Sequence, residues 1–135
     1  MSKFRAIVFN PSLNEAEVMY IDPGLAALYE CIGAGCQYVE AVLVGGCGQT
    51  GFSIDMWVDE EGFLQEHPHP KGYFRLGQFP QPFAGRAVFV ASNTSGGRES
   101  LPDWMTPELV KSQATPVEVT PEEIERIITP TITTL

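Results

Sequence analysis

Basic residues are scarce. Eight Lys and Arg stand against seventeen Asp and Glu, so the formal charge is −9 over 135 residues. On bulk electrostatics, that balance disfavours coating a long nucleic acid or an anionic membrane. It leaves plain solubility, or mimicry of a polyanion. Cysteine is scarce too. Three cysteines cannot close a complete disulfide framework, and so few suit a reducing, intracellular setting. Long hydrophobic runs are absent: the uncharged stretch from Ala41 to Ile54 is broken by four glycines and is too short to span a bilayer. The opening residues Met1 to Arg5 show no apolar core of signal-peptide length. The expectation is a cytoplasmic protein with no membrane partner. At 44% hydrophobic and 19% charged residues, the chain reads as one globular domain.

What is present gives a coarse element order. Phe4 to Phe9 is rich in β-formers and ends at the turn signal Asn10-Pro11-Ser12. Glu15 to Ile21 alternates, so the two segments read as a hairpin. Asp22-Pro23-Gly24 opens the clearest helix, over 23–33, with Asp22 as N-cap and Pro23 at the first helical position. Leu25, Leu28, Tyr29 and Ile32 give it one apolar face, and Gly33 or Gly35 ends it. Gln37 to Val44 and Phe52 to Val58 read as strands joined by a glycine-rich loop, Gly45 to Gly51. After the turn Asp59 to Gly62, Phe63-Leu64 is a candidate short return strand. His67 to Pro82 carries four prolines, which argues against a regular central strand there. Arg86 to Ser92 is the last strand, followed by a loop from Asn93 to Gly97.

The C-terminal third carries two helix starts, Thr106-Pro107-Glu108 and Thr120-Pro121-Glu122-Glu123. The second has Glu at the third helical position, which makes a capping box. Together these elements predict an α+β single domain. Its sheet is mixed or mostly antiparallel with about five strands, with one main helix and short C-terminal helices. Residues 1–115 form the domain and residues 116–135 a C-terminal extension. The Ile124, Ile127 and Ile128 face and the tail 129–135 have little core left to cover, which predicts a homo-oligomer.

The run from Ile21 to Leu25, the pairs Leu28 and Ile32-Gly33, and Tyr38 to Val42 carry a resemblance. So do Asp59 to Gly62 and Ala84 to Val90. In this order, over roughly residues 4–112, the chain resembles the small bacterial and phage proteins of domain of unknown function family 3846. The resemblance implies an α+β accessory protein of phages and mobile elements, and such proteins often counter host defence. The family supplies no catalytic residue to carry over. Two features depart from its pattern: the long loop Gly45 to Gly51, and Lys71-Gly72 where an Asn-Arg pair is expected.

Candidate chemistry is thin. Cys31, Cys36 and Cys47 with His67 and His69 lack the paired spacing of a zinc site, so buried thiols and surface histidines are the simpler account. The loop Gly45 to Gly51 lacks the following Lys-Ser/Thr of a P-loop and leads into a strand, so it reads as a hairpin connection. No Gly-x-Ser-x-Gly elbow occurs, and nothing in the sequence positions Cys47 against His67 or His69. No cofactor is indicated.

The informative feature is where acids are missing. From His67 to Arg98 there is no Asp or Glu, and Lys71, Arg75, Arg86 and Arg98 bring the stretch to +4. Residues 1–66 carry −8 and residues 99–135 carry −5. The same stretch holds Tyr73, Phe74, Phe79, Phe83 and Phe89. Cations interleaved with aromatics suit a planar base bearing phosphates. The candidate ligand site is therefore Lys71, Arg75, Arg86 and Arg98 for phosphate, Tyr73 or Phe74 for stacking, and His69 beside them. The competing account pairs these cations with the acidic ends of the same chain and buries the aromatics. The functional expectation is a non-enzymatic phage or mobile-element accessory that sequesters a small nucleotide-type signal. The alternatives are an acidic module binding a host protein, with Glu118, Glu122, Glu123 and Glu125 as its cue, and a small nucleotide-processing enzyme.

Overall fold

The computed structural model describes residues 3–33, 36, 38–47, 52–64, 69–77, 79–93 and 97–128. In chain order these form β1 (Phe4–Asn10), β2 (Glu15–Ile21), α1 (Leu25–Ile32), β3 (Val39–Cys47) and β4 (Phe52–Asp59). They continue with β5 (Tyr73–Leu76), β6 (Phe83–Ala84), β7 (Ala87–Ser92), β8 (Arg98–Glu99), α2 (Pro107–Gln113), β9 (Ala114–Val117) and α3 (Pro121–Ile128). The fold is α+β, and every strand pairing among the described residues is antiparallel. The main sheet runs β2-β1-β7-β4-β3, with β8 also pairing β7, and a second sheet runs β6-β5-β9.

β1 and β7 lie at the middle of the main sheet, and their sequences show it. Ala6 to Phe9 and Ala87 to Ala91 are buried without interruption, as expected of strands covered on both faces. Alternate residues go to opposite layers. Ala6, Val8, Val88 and Val90 pack under α1 with Leu28, Cys31 and Ile32. Ile7, Phe9 and Phe89 pack on the other face with Phe74 and Leu76 of the second sheet and Val110 of α2. Phe9, Phe74 and Phe89 are fully buried, each contributing roughly 1.5–3 kcal/mol of transfer free energy.

Several expectations are corrected. α1 begins at Leu25, with Gly24 as N-cap and no side-chain cap, while the Asp22 carboxylate lies 3.9 Å from exposed Lys3. Gly45 to Cys47 continue β3 past a register shift between Leu43 and Gly45, so the strand outlasts the expected loop start. Residues 48–51 of that loop lie outside the described residues. Phe63 and Leu64 belong to a 3₁₀ turn. The proline-rich stretch does hold a central strand, β5. Its partners β6 and β9 flank residues 73–76, and Pro70 and Pro80 stand clear of it.

The proposed boundary at residue 115 falls inside β9, which pairs with β5 from Tyr73↔Val117 to Leu76↔Ala114. α3 follows and buries Ile124 against Tyr73 and Ala84. Residues up to 128 are therefore built into the domain, and the chain itself covers the Ile124 part of the face expected to drive oligomerisation. The tail 129–135 lies outside the described residues. No helix among the described residues is long and apolar enough to cross a membrane.

Candidate ligand site

The structure disperses the acid-free stretch. Phe74 has no exposed surface; its ring lies 5.2 Å from Phe9 and 5.5 Å from Phe83. Tyr73 is 5% exposed and stacks on Phe63 at 5.8 Å. Neither ring offers a face to a base, so their assignment as stacking residues is corrected: they are core. Arg75 is exposed, donates to the Pro80 carbonyl at 3.2 Å and lies 3.9 Å from Glu123 of α3. It ties β5 to the acidic C-terminal helix of its own chain. Arg98 sits with its guanidinium 5.7 Å from the Trp57 ring and pairs in register with Ser92. Arg86 precedes the other end of β7. Along β7 it stands six residues from Ser92, the position opposite Arg98.

His69, Lys71 and Arg86 do come together, at the C-terminal end of α1. The geometry there follows from glycines. Gly33 ends α1 at φ +109, its N–H donating to Tyr29 O at 2.8 Å. Lys71 reaches over it and donates to the Ile32 carbonyl at 2.8 Å. A cation at a helix C-terminus is favourable, because the last carbonyls carry partial negative charge. A Cβ on Gly33 would lie 1.6 Å from the Lys71 ammonium, so only glycine leaves room for that contact. His69 closes the turn. Its Nδ1 accepts from Lys71 N–H at 3.0 Å, its own N–H donates to Tyr73 Oη at 2.9 Å, and its ring packs on Gly85 at φ +86. Ser12 N–H donates to Lys71 O at 3.0 Å and fastens the turn to the β1–β2 hairpin.

The electrostatics are those of a partly desolvated cluster. Burial lowers the His69 pKa, opposed by Asp59 and reinforced by Lys71. Burial and Arg86 lower Lys71, against Cys36 and Asp59. Burial, then Asp59, pushes the Cys36 thiol up to about 11. Burial and Glu30 raise Cys31, while Arg86 pulls it back. Asp59 is the one buried charged side chain among the described residues, and its Oδ1 accepts from Glu61 N–H at 2.9 Å. Arg86 is half-buried. Its Nε is fully buried and has no hydrogen-bond partner among the described residues.

Arg86 also borders a groove of about 430 Å³ between α1 and the β1–β2 hairpin. Val8 and Asn10 line it from β1, Glu15 and Glu17 from β2, and Glu30 and Cys31 from α1, with Lys3 and Asp22 also at its border. Sequence reasoning missed this groove. Its wall comes from the alternation of β2, which puts Glu15, Glu17 and Met19 on one side, and that alternation was visible. That α1 would lie beside this side was not. Among the described residues, no three His, Cys, Asp or Glu side chains form a metal set. His67 lies outside the described residues, as does the side chain of Cys47. Set against known proteins, the chain matches no family model, no curated protein and no solved structure.

Proposed function

We propose that the protein is a non-enzymatic binder of a small, phosphate-bearing ligand of nucleotide type, held in the groove between α1 and the β1–β2 hairpin. The observation that carries this reading is the half-buried Arg86, which lines that groove and leaves its Nε without a partner among the described residues. A guanidinium at a partly desolvated edge donates charge-assisted hydrogen bonds to an anionic oxygen, roughly twice as strong as neutral ones. The groove volume falls within the range of small-molecule sites. The carboxylates of Glu15, Glu17 and Glu30 repel a bare anion. They suit a ligand that also carries hydroxyl or amine hydrogens, as a sugar and a base do. The neighbouring groups favour binding over chemistry: the Cys31 and Cys36 thiols are held protonated, and His69 Nδ1 is already engaged.

The resemblance to phage and bacterial accessory proteins supports a role in sequestering such a signal. Calorimetry against cyclic and ADP-ribose-derived nucleotides tests the reading. Binding by at least one of them is expected, weakened about tenfold or more in Arg86→Gln, since a charge-assisted hydrogen bond contributes roughly 1.5–3 kcal/mol. Arg98→Gln is expected to bind as the parent chain does. Absence of heat for every nucleotide overturns the proposal.

A further inference from the structure

Among the described residues, the main sheet ends at β2 on one side and at β3 on the other. An end strand presents backbone N–H and C=O groups that can take up a further strand. The two ends differ chemically. β2 carries Glu15 and Glu17, and the groove it walls is charged as well, with Asp22 and Glu30 beside Lys3 and Arg86. β3 spans nine residues with a single charge, Glu40, and has neither Lys nor Pro, residues that commonly keep an edge from pairing. Ala41 is exposed on it, and Tyr38, just before it, is 55% exposed.

A second groove, of about 380 Å³, opens beside the same strand at Val44 and Gly45. Buried Ile54 and Phe89 line it from the sheet, and Trp104 and Leu109 from the α2 side, with no charged residue among its described lining. Trp104 is 59% exposed. Two copies of a chain at −9 repel wherever acids face acids. The β2 end keeps two charged side chains on the strand itself, and charges of that kind commonly guard an edge from pairing. The β3 end sets an uncharged strand and an uncharged groove against their own likeness.

We propose that two copies of the chain pair antiparallel through β3 about a twofold axis, joining their main sheets into one continuous sheet and bringing their apolar grooves to the shared interface. The antiparallel sense follows from the twofold and from Glu40. It sends the two Glu40 carboxylates toward opposite ends of the strand pair, whereas a parallel pair would stack them. This interface is distinct from the α3 face and from the Arg86 groove.

Sedimentation velocity of the full chain, from micromolar to sub-millimolar concentration, tests it. The parent chain is expected to shift from monomer to dimer as concentration rises. Ala41→Asp, on the exposed edge, is expected to remain monomeric with an unchanged circular dichroism spectrum. Tyr20→Asp, on the β2 edge, is expected to dimerise as the parent does. A parent chain that stays monomeric throughout, or an Ala41→Asp chain that still dimerises, overturns the proposal. Should Ala41→Asp fail to fold, amide exchange of the parent decides: β3 amides that slow with concentration support the pairing, and β3 amides indifferent to it overturn the pairing.

Discussion

Gly33 and Lys71 are packed so closely that a side chain at position 33 must displace the Lys71 ammonium. Gly33→Ala places a Cβ where the Lys71 ammonium sits and forces a side chain onto φ +109. A loss of roughly 1–3 kcal/mol is expected in urea unfolding. The double variant Gly33→Ala with Lys71→Ala should recover part of that loss, because the clash disappears and the backbone strain remains. His69 gives a pH signature at the same spot. Its folded pKa lies below the ordinary 6.5, since burial disfavours the imidazolium. The unfolded chain therefore binds the proton more readily. Its contribution is complete above pH 6.5 and is lost as pH falls below that value through the folded pKa. His69→Gln should flatten the fall in urea midpoint over that acidic range, and an unchanged slope would show that other groups dominate it.

At the level of elements, the local signals and the β1–β2 hairpin were legible, and the long-range pairings were not. The capping box is an example of the first. Glu123 N–H donates to Thr120 Oγ1 at 3.2 Å, and Thr120 N–H donates to Glu123 Oε1 at 3.4 Å, as the spacing of the two residues predicted. Thr106 caps α2 in the same manner through Leu109 N–H, at 3.1 Å. β5 is an example of the second. Four residues between prolines carry no signal of their own strong enough to show a strand, and its partner β9 lies some forty residues onward. The cations show the same divide. Lys71, Arg75, Arg86 and Arg98 stood out in sequence, but whether each meets a helix end, a carboxylate, a groove or an indole depends on strand order. Two substitutions separate the contributions at α3. Thr120→Ala should lower stability by about 1 kcal/mol through the lost cap. Ile124→Ala should lower it by roughly 2–5 kcal/mol, because the side chain fills the space above Tyr73 and Ala84. Thermal melts of the two variants measure the contrast, and equal shifts would mean that α3 is not anchored by its buried isoleucine.

Over the whole molecule, the order β2-β1-β7-β4-β3 places β7 between two hairpins that are each continuous in sequence. β1 with β2, and β3 with β4, can form from neighbouring segments as soon as each is synthesised. Neither hairpin touches the other through strand hydrogen bonds until β7 bonds to both, from Ile7↔Phe89 on one side and Met56↔Phe89 on the other. The strand that closes the sheet is thus the last of the five to leave the ribosome. Its pairing needs the longest loop closures in the sheet, so β7 docking is expected to set the folding rate. Val90→Ala, at the seam, should slow refolding in a stopped-flow chevron, while Val18→Ala, on the outer hairpin, should mainly speed unfolding. A nascent chain stalled before residue 87 would hold two separate hairpins and no sheet core.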